Sequence, residues 1–578
     1  MSGIKQVFRD SARDAAVVAN IEAVVQKGEL PRAVQMACAA LDQGLIHPML
    51  LNLRSYWHGQ SGRPADALSD LRIALRMAPG DVFVRNALGL LLVRTGKWQE
   101  ALPLMEETVR MAPGFAPAQY SLGWIYAFSG ELAAARKCFE TAIAINPDFV
   151  DALGHLASLA SRRADWAETN KMAARALAID TGQPVALTAL AAASLAQGNL
   201  EGAEALLSRL GDVSHLPPLE ASLALTVRGD LRDAQGRYGE AFEIYAARNR
   251  DKFQQAAPQY DIKGATTHDY VRWLVDYFGA LPDNALPGNN WAGMAQTEAA
   301  SGGTRRHVFL VGFPRSGTTL LENILASHPD ICALDERDTL GEAAREFLVD
   351  EAGLARLAAA SPDELERHRT LYWNRVREFG AEVAGKVYID KYPLSSIKLP
   401  LVARLFPEAR ILFAVRDPRD VLLSCFRRSF SLNSSMFELL DLERGARLYA
   451  EVMDLSAIYR RTLGLAWHQL RYESLVEDFE GEMRKVCDFL GVEWDEQMRN
   501  FAELSRARTI KTPSSVQVLR GLYREGAGQW RRYETQLAPA LPILQPWIER
   551  YGMSDRSGGR NIPRTPPAAR RPGPVQLG

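Results

Sequence analysis

The chain has 578 residues, 47% of them hydrophobic and 24% charged, which is too long for one ordinary core and apolar enough to be globular over most of its length. A formal net charge of -1 excludes a nucleic-acid binder that works by bulk positive charge. Five scattered cysteines, Cys38, Cys138, Cys332, Cys425 and Cys487, include no CxxC pair and so suggest neither a disulfide framework nor a zinc site.

The first 14 residues carry charges throughout and lack an apolar signal region. The longest uncharged stretch, near Pro184 to Gly198, falls short of the ~20 apolar residues that a membrane span needs. The expectation is a cytoplasmic protein without a transmembrane segment.

From residue 15 to about 250 the chain is rich in Ala and Leu with helical periodicity, and it repeats. Gly28, Gly62, Gly96 and Gly130 lie 34 apart; the register passes through Ala164 and returns to glycine at Gly198. Five residues after each stand Ala33, Ala67, Ala101, Ala135, Thr169 and Ala203, and Pro79, Pro113 and Pro147 form a third register of the same period. The glycine turns one helix into the next, the small residue lets two helices approach, and the proline ends the second helix. Gly236 comes 38 residues after Gly198 and reads as the turn of a degenerate or capping repeat.

These registers resemble the tetratricopeptide repeat family over about residues 15–212. The resemblance implies an all-α solenoid whose concave surface holds an extended or helical peptide. Use of the array for folding support or self-association alone is the competing reading, and Trp98, Trp124 and Trp166 read as helix packing.

Past residue 250 the pattern changes to a helical fragment, HDYVRWLVDYFGAL, and then to a Pro-, Gly- and Asn-rich stretch that reads as a linker. The expected organisation is a repeat domain at 1–250, a fragment and linker at 251–305, an α/β domain at 306–552 and a tail from 553 to 578. The tail has five arginines against one aspartate and few large apolar groups, so disorder is expected there.

In the α/β domain, apolar runs at 307–311, near 385, near 409 and near 466 alternate with helical patterns, which implies a parallel sheet with ligands at its C-terminal edge. The first run leads into GFPRSGTT, a loop with Gly312, Pro314 and Gly317 followed by a helix from Thr318, the layout of a phosphate cradle. Gly312 and Gly317 have the spacing of a nucleotide-hydrolysing loop, but Thr318 stands where that loop has lysine, and the cation is Arg315 within the loop. One arginine fork and the hydroxyls of Thr318 and Thr319 suit a phosphosulfate end without a metal better than a triphosphate with magnesium. A kinase or other P-loop NTPase would share the cradle yet need the lysine, and a non-catalytic repeat scaffold would keep only the partner surface.

FPRSGTTLLENILASHP and AVRDPRDVLLSCF resemble the sulfotransferases that use 3′-phosphoadenosine 5′-phosphosulfate, and more closely their protein-tyrosine sulfotransferase branch, over about residues 306–552. The resemblance implies an α/β P-loop-like domain in which Arg315, Ser316, Gly317, Thr318 and Thr319 hold the donor's 5′ end. Arg416 and Ser424, eight residues apart, would hold its 3′-phosphate, and Tyr472 and the segment with Ser514 and Ser515 would close over it. It places Glu336, 21 residues after Arg315, as the base that takes the acceptor proton, with Lys391, Arg315 and Ser514 stabilising the transferring sulfonyl. The implied acceptor is a hydroxyl, tyrosine in that branch, on a protein or peptide presented by the repeats.

Two arginines that read acidic substrate flanks in that branch correspond here to Asp338 and Glu342, which would repel such flanks. Its 3′-phosphate lysine corresponds to Gln529, with Arg524, Arg531 and Arg532 as candidate replacements.

Overall fold

The computed structural model of the protein describes residues 11–282, 302–506, 522 and 526–553. Ser514, Ser515, Arg524, most of the expected linker and the tail beyond 553 lie outside the described residues.

The first half is the expected all-α solenoid. Helix pairs such as Pro48–Gln60 with Pro64–Met77 and Ala116–Phe128 with Leu132–Ile145 follow the 34-residue register. Each turn glycine of the register has left-handed backbone, Gly28 at φ 77°, Gly62 at 70°, Gly96 at 78°, Gly130 at 84° and Gly198 at 80°, and Ala164 adopts the same conformation at 55°. Such a residue ends one helix and redirects the chain into the next, which is why glycine recurs there.

Ala33, Ala67, Ala101, Ala135, Thr169 and Ala203 are all fully buried, as helices in close approach require. Trp98 and Trp124 pack against the core of the array. Helix Val150–Arg162 touches Pro184–Ala196, which touches Pro218–Ala234, so the helices before each turn follow one another along one side of the stack.

Gly236, at φ 75°, and Ala241, fully buried, continue both registers into one more pair. That pair is longer than the others, with Pro218–Ala234 of 17 residues and Tyr238–Tyr260 of 23, and the second helix runs straight through residue 250. Its Ala241 and Tyr245, together with Val271, Leu274 and Phe278 of helix Thr267–Gly279, belong to the apolar core of the α/β half. A capping box, Thr266 with Asp269, starts helix Thr267–Gly279, and the helix packs on Leu442–Thr462.

Among the described residues, the second half is built on five parallel strands: β1 Arg306–Gly312, β2 Ile331–Asp335, β3 Val387–Lys391, β4 Arg410–Val415 and β5 Ala466–Arg471, in the order β2-β3-β1-β4-β5. The central strands β1, β3 and β4 are buried almost throughout, which explains their unbroken apolar runs. The solenoid followed by a parallel-sheet α/β domain is thus the fold expected from sequence, with β2 as the one strand not anticipated. Among the described residues, no helix is long and apolar enough to cross a membrane.

Candidate functional site

All five strands end at the same sheet edge, and each delivers one of the residues singled out in the sequence. β2 leads into Glu336, β3 ends at Lys391, β1 leads into the loop of Arg315, β4 leads into Arg416, and β5 leads into Tyr472. Asp335 and Leu310 are both in register with Lys391, Gly312 with Ala414, and Val415 with Arg471. Neighbouring strands lie about 4.8 Å apart, so these residues form a row across the carboxyl ends of the sheet, where ligands gather in such folds.

The cradle loop is shaped by close backbone approach. Gly312 has φ 155°, and a Cβ there would come within 2.5 Å of the Ala414 carbonyl oxygen. Gly317, at φ 95°, is the N-cap of helix Thr318–Leu325 and has no side chain with which to cap the first turn, the arrangement in which a helix N-terminus takes an anion instead. Arg315, Ser316, Thr318 and Thr319 are all buried.

Arg315 has left-handed backbone, φ 70°, and its Nε donates to Ser424 Oγ at 2.9 Å. Arg416 Nη1 donates to the Arg315 carbonyl at 3.1 Å and Nη2 to the Gly526 carbonyl, while the guanidinium sits 5.0 Å from the centre of the Tyr472 ring. The buried Nε of Arg416 has no hydrogen-bond acceptor among the described residues. Residues 101 and 110 apart from Arg416 in sequence are thus drawn onto one guanidinium.

On the other side of the row, Lys391 is fully buried. Its Nζ donates to Asp335 Oδ1 and, at 2.9 Å, to Glu336 Oε1. Burial works against its charge, and the carboxylates of Glu336, Asp335 and Glu322 outweigh burial and hold its pKa above the ordinary lysine range. Glu336 is left-handed at φ 39°, its N–H donates to the Lys391 carbonyl at 2.8 Å, and its side chain keeps 35% exposure. Its carboxylate is thus held by the Lys391 ammonium and partly open to solvent.

Glu336 opens into a cleft of about 320 Å³ lined also by Asp338, Thr339, Glu342, Arg345 and Phe379. Asp338 and Glu342 are each paired with a cation, Lys398 Nζ lying 2.7 Å from Asp338 and Arg375 Nη2 3.1 Å from Glu342. Below the cleft, Thr339 and Tyr372 each donate to Asp390 at 2.7 Å, and burial raises the Asp390 carboxyl to about 6. Arg337 at the rim pairs with Glu131 of the repeat array at 2.6 Å, so the array borders this cleft.

Among the proposed substitutes for the missing lysine, the Arg532 guanidinium lies 5.7 Å over Tyr238 of the array and that of Arg531 lies 4.9 Å over Trp530. Sequence reasoning missed Glu322 and Asp335 as partners of Lys391. Glu322 did leave a trace, a charge inside TTLLENIL, a helix buried at all eight of its positions. Asp335 left none beyond adjacency to Glu336.

Residues 307–496 match the model of the sulfotransferase family, and residues 58–116 and 86–149 match a tetratricopeptide repeat model. An uncharacterized protein of Aquifex aeolicus (strain VF5) is 28% identical over 265 residues, 43% of this chain and 34% of that protein. A protein-tyrosine sulfotransferase of Drosophila melanogaster is 26% identical over 260 residues, 41% of this chain and 51% of the fly protein. The chain therefore spans between a third and about half of the length of these two relatives. Among solved structures, the sulfotransferase domain of the Synechococcus PCC 7002 olefin synthase is 23% identical, with a TM-score of 0.29 over 39% of this chain and 88% of that domain.

Proposed function

We propose, for a chain that joins tetratricopeptide repeats to a sulfotransferase-family domain, that it moves a sulfonate group from 3′-phosphoadenosine 5′-phosphosulfate to a hydroxyl on a protein or peptide brought by the repeats. The observation that carries this reading is the row at the sheet edge, with an anion cradle and two arginines on one side and an ion-paired glutamate open to a cleft on the other.

The donor, when bound, supplies a sulfonyl group already activated by its bond to phosphate. The loop from Gly312 to Thr319 and the first turn after it would hold the donor's 5′ end, and Arg416 with Ser424 its 3′-phosphate. Support for such a group comes from Arg416 Nε, a buried donor lacking an acceptor among the described residues, since a buried donor of that kind is costly unless something occupies it. Glu336 would take the acceptor hydroxyl's proton, while Lys391 and Arg315 offset negative charge on the transferring oxygens. Ser514 and Ser515 enter the proposal by resemblance alone. The contact of Arg337 with Glu131 supports a protein or peptide acceptor, since a substrate held on the array would be at high effective concentration beside the cleft.

Calorimetric titration tests the donor half. 3′-Phosphoadenosine 5′-phosphate is expected to bind at least about tenfold more tightly than ATP, with no need for magnesium, because Arg416 and Ser424 have no partner in ATP; tenfold corresponds to ~1.4 kcal/mol, the scale of one charge-assisted hydrogen bond. Magnesium-dependent binding of ATP in preference to the 3′-phosphate would replace the reading with a P-loop NTPase.

A further inference from the structure

Ser424 lies on helix Pro418–Arg427, and the end of that helix is closed by the repeat array. Arg248, on the array's last helix, is 1% exposed. Its Nη2 donates to the Phe426 carbonyl at 2.8 Å, and its Nη1 donates to the Arg427 carbonyl at 3.0 Å and to Thr226 Oγ1 at 2.7 Å. Asn249 Nδ2 donates to the same Phe426 carbonyl at 2.9 Å, and Asn249 Oδ1 accepts from Arg248 Nη2 at 2.8 Å and from its Nε at 3.1 Å.

A helix leaves its last carbonyls unmatched and its C-terminal end partly negative, so a buried cation with two fixed donors is a strong clamp there. Around it, Arg427 pairs with Asp233 at 3.1 Å, Arg428 with Asp230 at 3.1 Å, and Lys252 Nζ donates to Ser429 Oγ at 2.6 Å. Each joins the last helix pair of the array to the chain immediately after Ser424.

The other end of the same helix faces the site. Asp420 accepts from the N–H groups of Gly528 at 2.6 Å and Trp530 at 2.9 Å, next to the Gly526 carbonyl that Arg416 holds. Ser424 sits two and three residues before the clamped carbonyls, about 3–4.5 Å along the axis at 1.5 Å per residue. A shift of the helix end of the order of one ångström therefore reaches Ser424 almost undiminished.

We propose that Arg248 and Asn249 are positioning residues of the donor site: they set helix Pro418–Arg427 so that Ser424 meets Arg315, which makes the last helix pair of the repeat array part of the donor site. The earlier pairs remain for partners. The proposal rests on the reading of Ser424 as a 3′-phosphate ligand, and its test separates the two.

In the full-length chain, Arg248→Met is expected to weaken 3′-phosphoadenosine 5′-phosphate at least about tenfold by calorimetry while adenosine 5′-phosphate, which lacks the 3′-phosphate, changes less than about threefold. Arg248→Lys restores most of the loss. Equal weakening of both ligands, or none, overturns the proposal.

Where wild type shows no preference for the 3′-phosphate, the donor reading fails instead, and hydrogen exchange decides the positioning role. Faster exchange confined to 419–430 in Arg248→Met supports it, and uniform or unchanged exchange overturns it. Should Arg248→Met not fold, Asn249→Ala, which keeps the cation and removes one bond to Phe426, is expected to give a smaller loss specific to the 3′-phosphate ligand, and the absence of that loss overturns the proposal.

Discussion

Left-handed backbone at a residue other than glycine occurs, among the described residues, in two settings: Ala164 in the array, and Arg315 and Glu336 at the sheet edge. At the equivalent array glycines Gly28, Gly62, Gly96, Gly130, Gly198 and Gly236, an added Cβ would meet nothing within 4 Å. Ala164 therefore bears only the torsional penalty of that conformation, about 1 kcal/mol, and the repeat tolerates it.

Arg315 and Glu336 bear the same penalty under restraint. The Arg315 carbonyl and side chain are both engaged, by Arg416 and Ser424, and Glu336 is engaged through its N–H and its carboxylate by the single residue Lys391. In the array the conformation is an inexpensive corner, whereas at the sheet edge distant contacts impose it and it aims a side chain.

Removing the residue that does the imposing has the largest expected effect on stability. Lys391→Met leaves Glu322, Asp335 and Glu336 without their buried cation, and should cost about 3–5 kcal/mol in denaturant unfolding. On the proposed function it should also lower sulfonate transfer by about 10²–10³-fold. Unchanged stability would mean that the three carboxylates do not depend on it.

The next test separates strain from chemistry at one position. Glu336→Gly and Glu336→Ala should both lose transfer by about 10²–10⁴-fold, but the glycine variant should be more stable by about 1 kcal/mol, because only the alanine retains the left-handed penalty. Equal melting temperatures would show that the backbone relaxes once the carboxylate is gone. Least perturbing is Ala164→Gly, for which a gain of no more than about 1 kcal/mol in thermal unfolding and unaltered transfer are expected. A measurable change in transfer would couple the middle of the array to the site.

What the chain states locally was legible from its letters. The 34-residue period, the buried small residues, the central strands and the cradle loop each depend on neighbours in sequence, and those neighbours are readable as period or motif. β2 escaped because ICALD is five residues at a sheet edge with partly exposed positions, so it lacks the long apolar run of β1 or β4.

The tertiary structure decided which charges balance and which helices belong together. Lys391 meets Asp335 across 56 residues, Lys398 meets Asp338 across 60, and Arg248 meets Phe426 across 178, distances over which no periodicity carries information. The sequence by itself thus determined a helical array followed by a parallel-sheet domain with an anion loop. Only packing determined that the array's last helices clamp the helix bearing Ser424, because partners so far apart in sequence meet only once the array has packed against the α/β half.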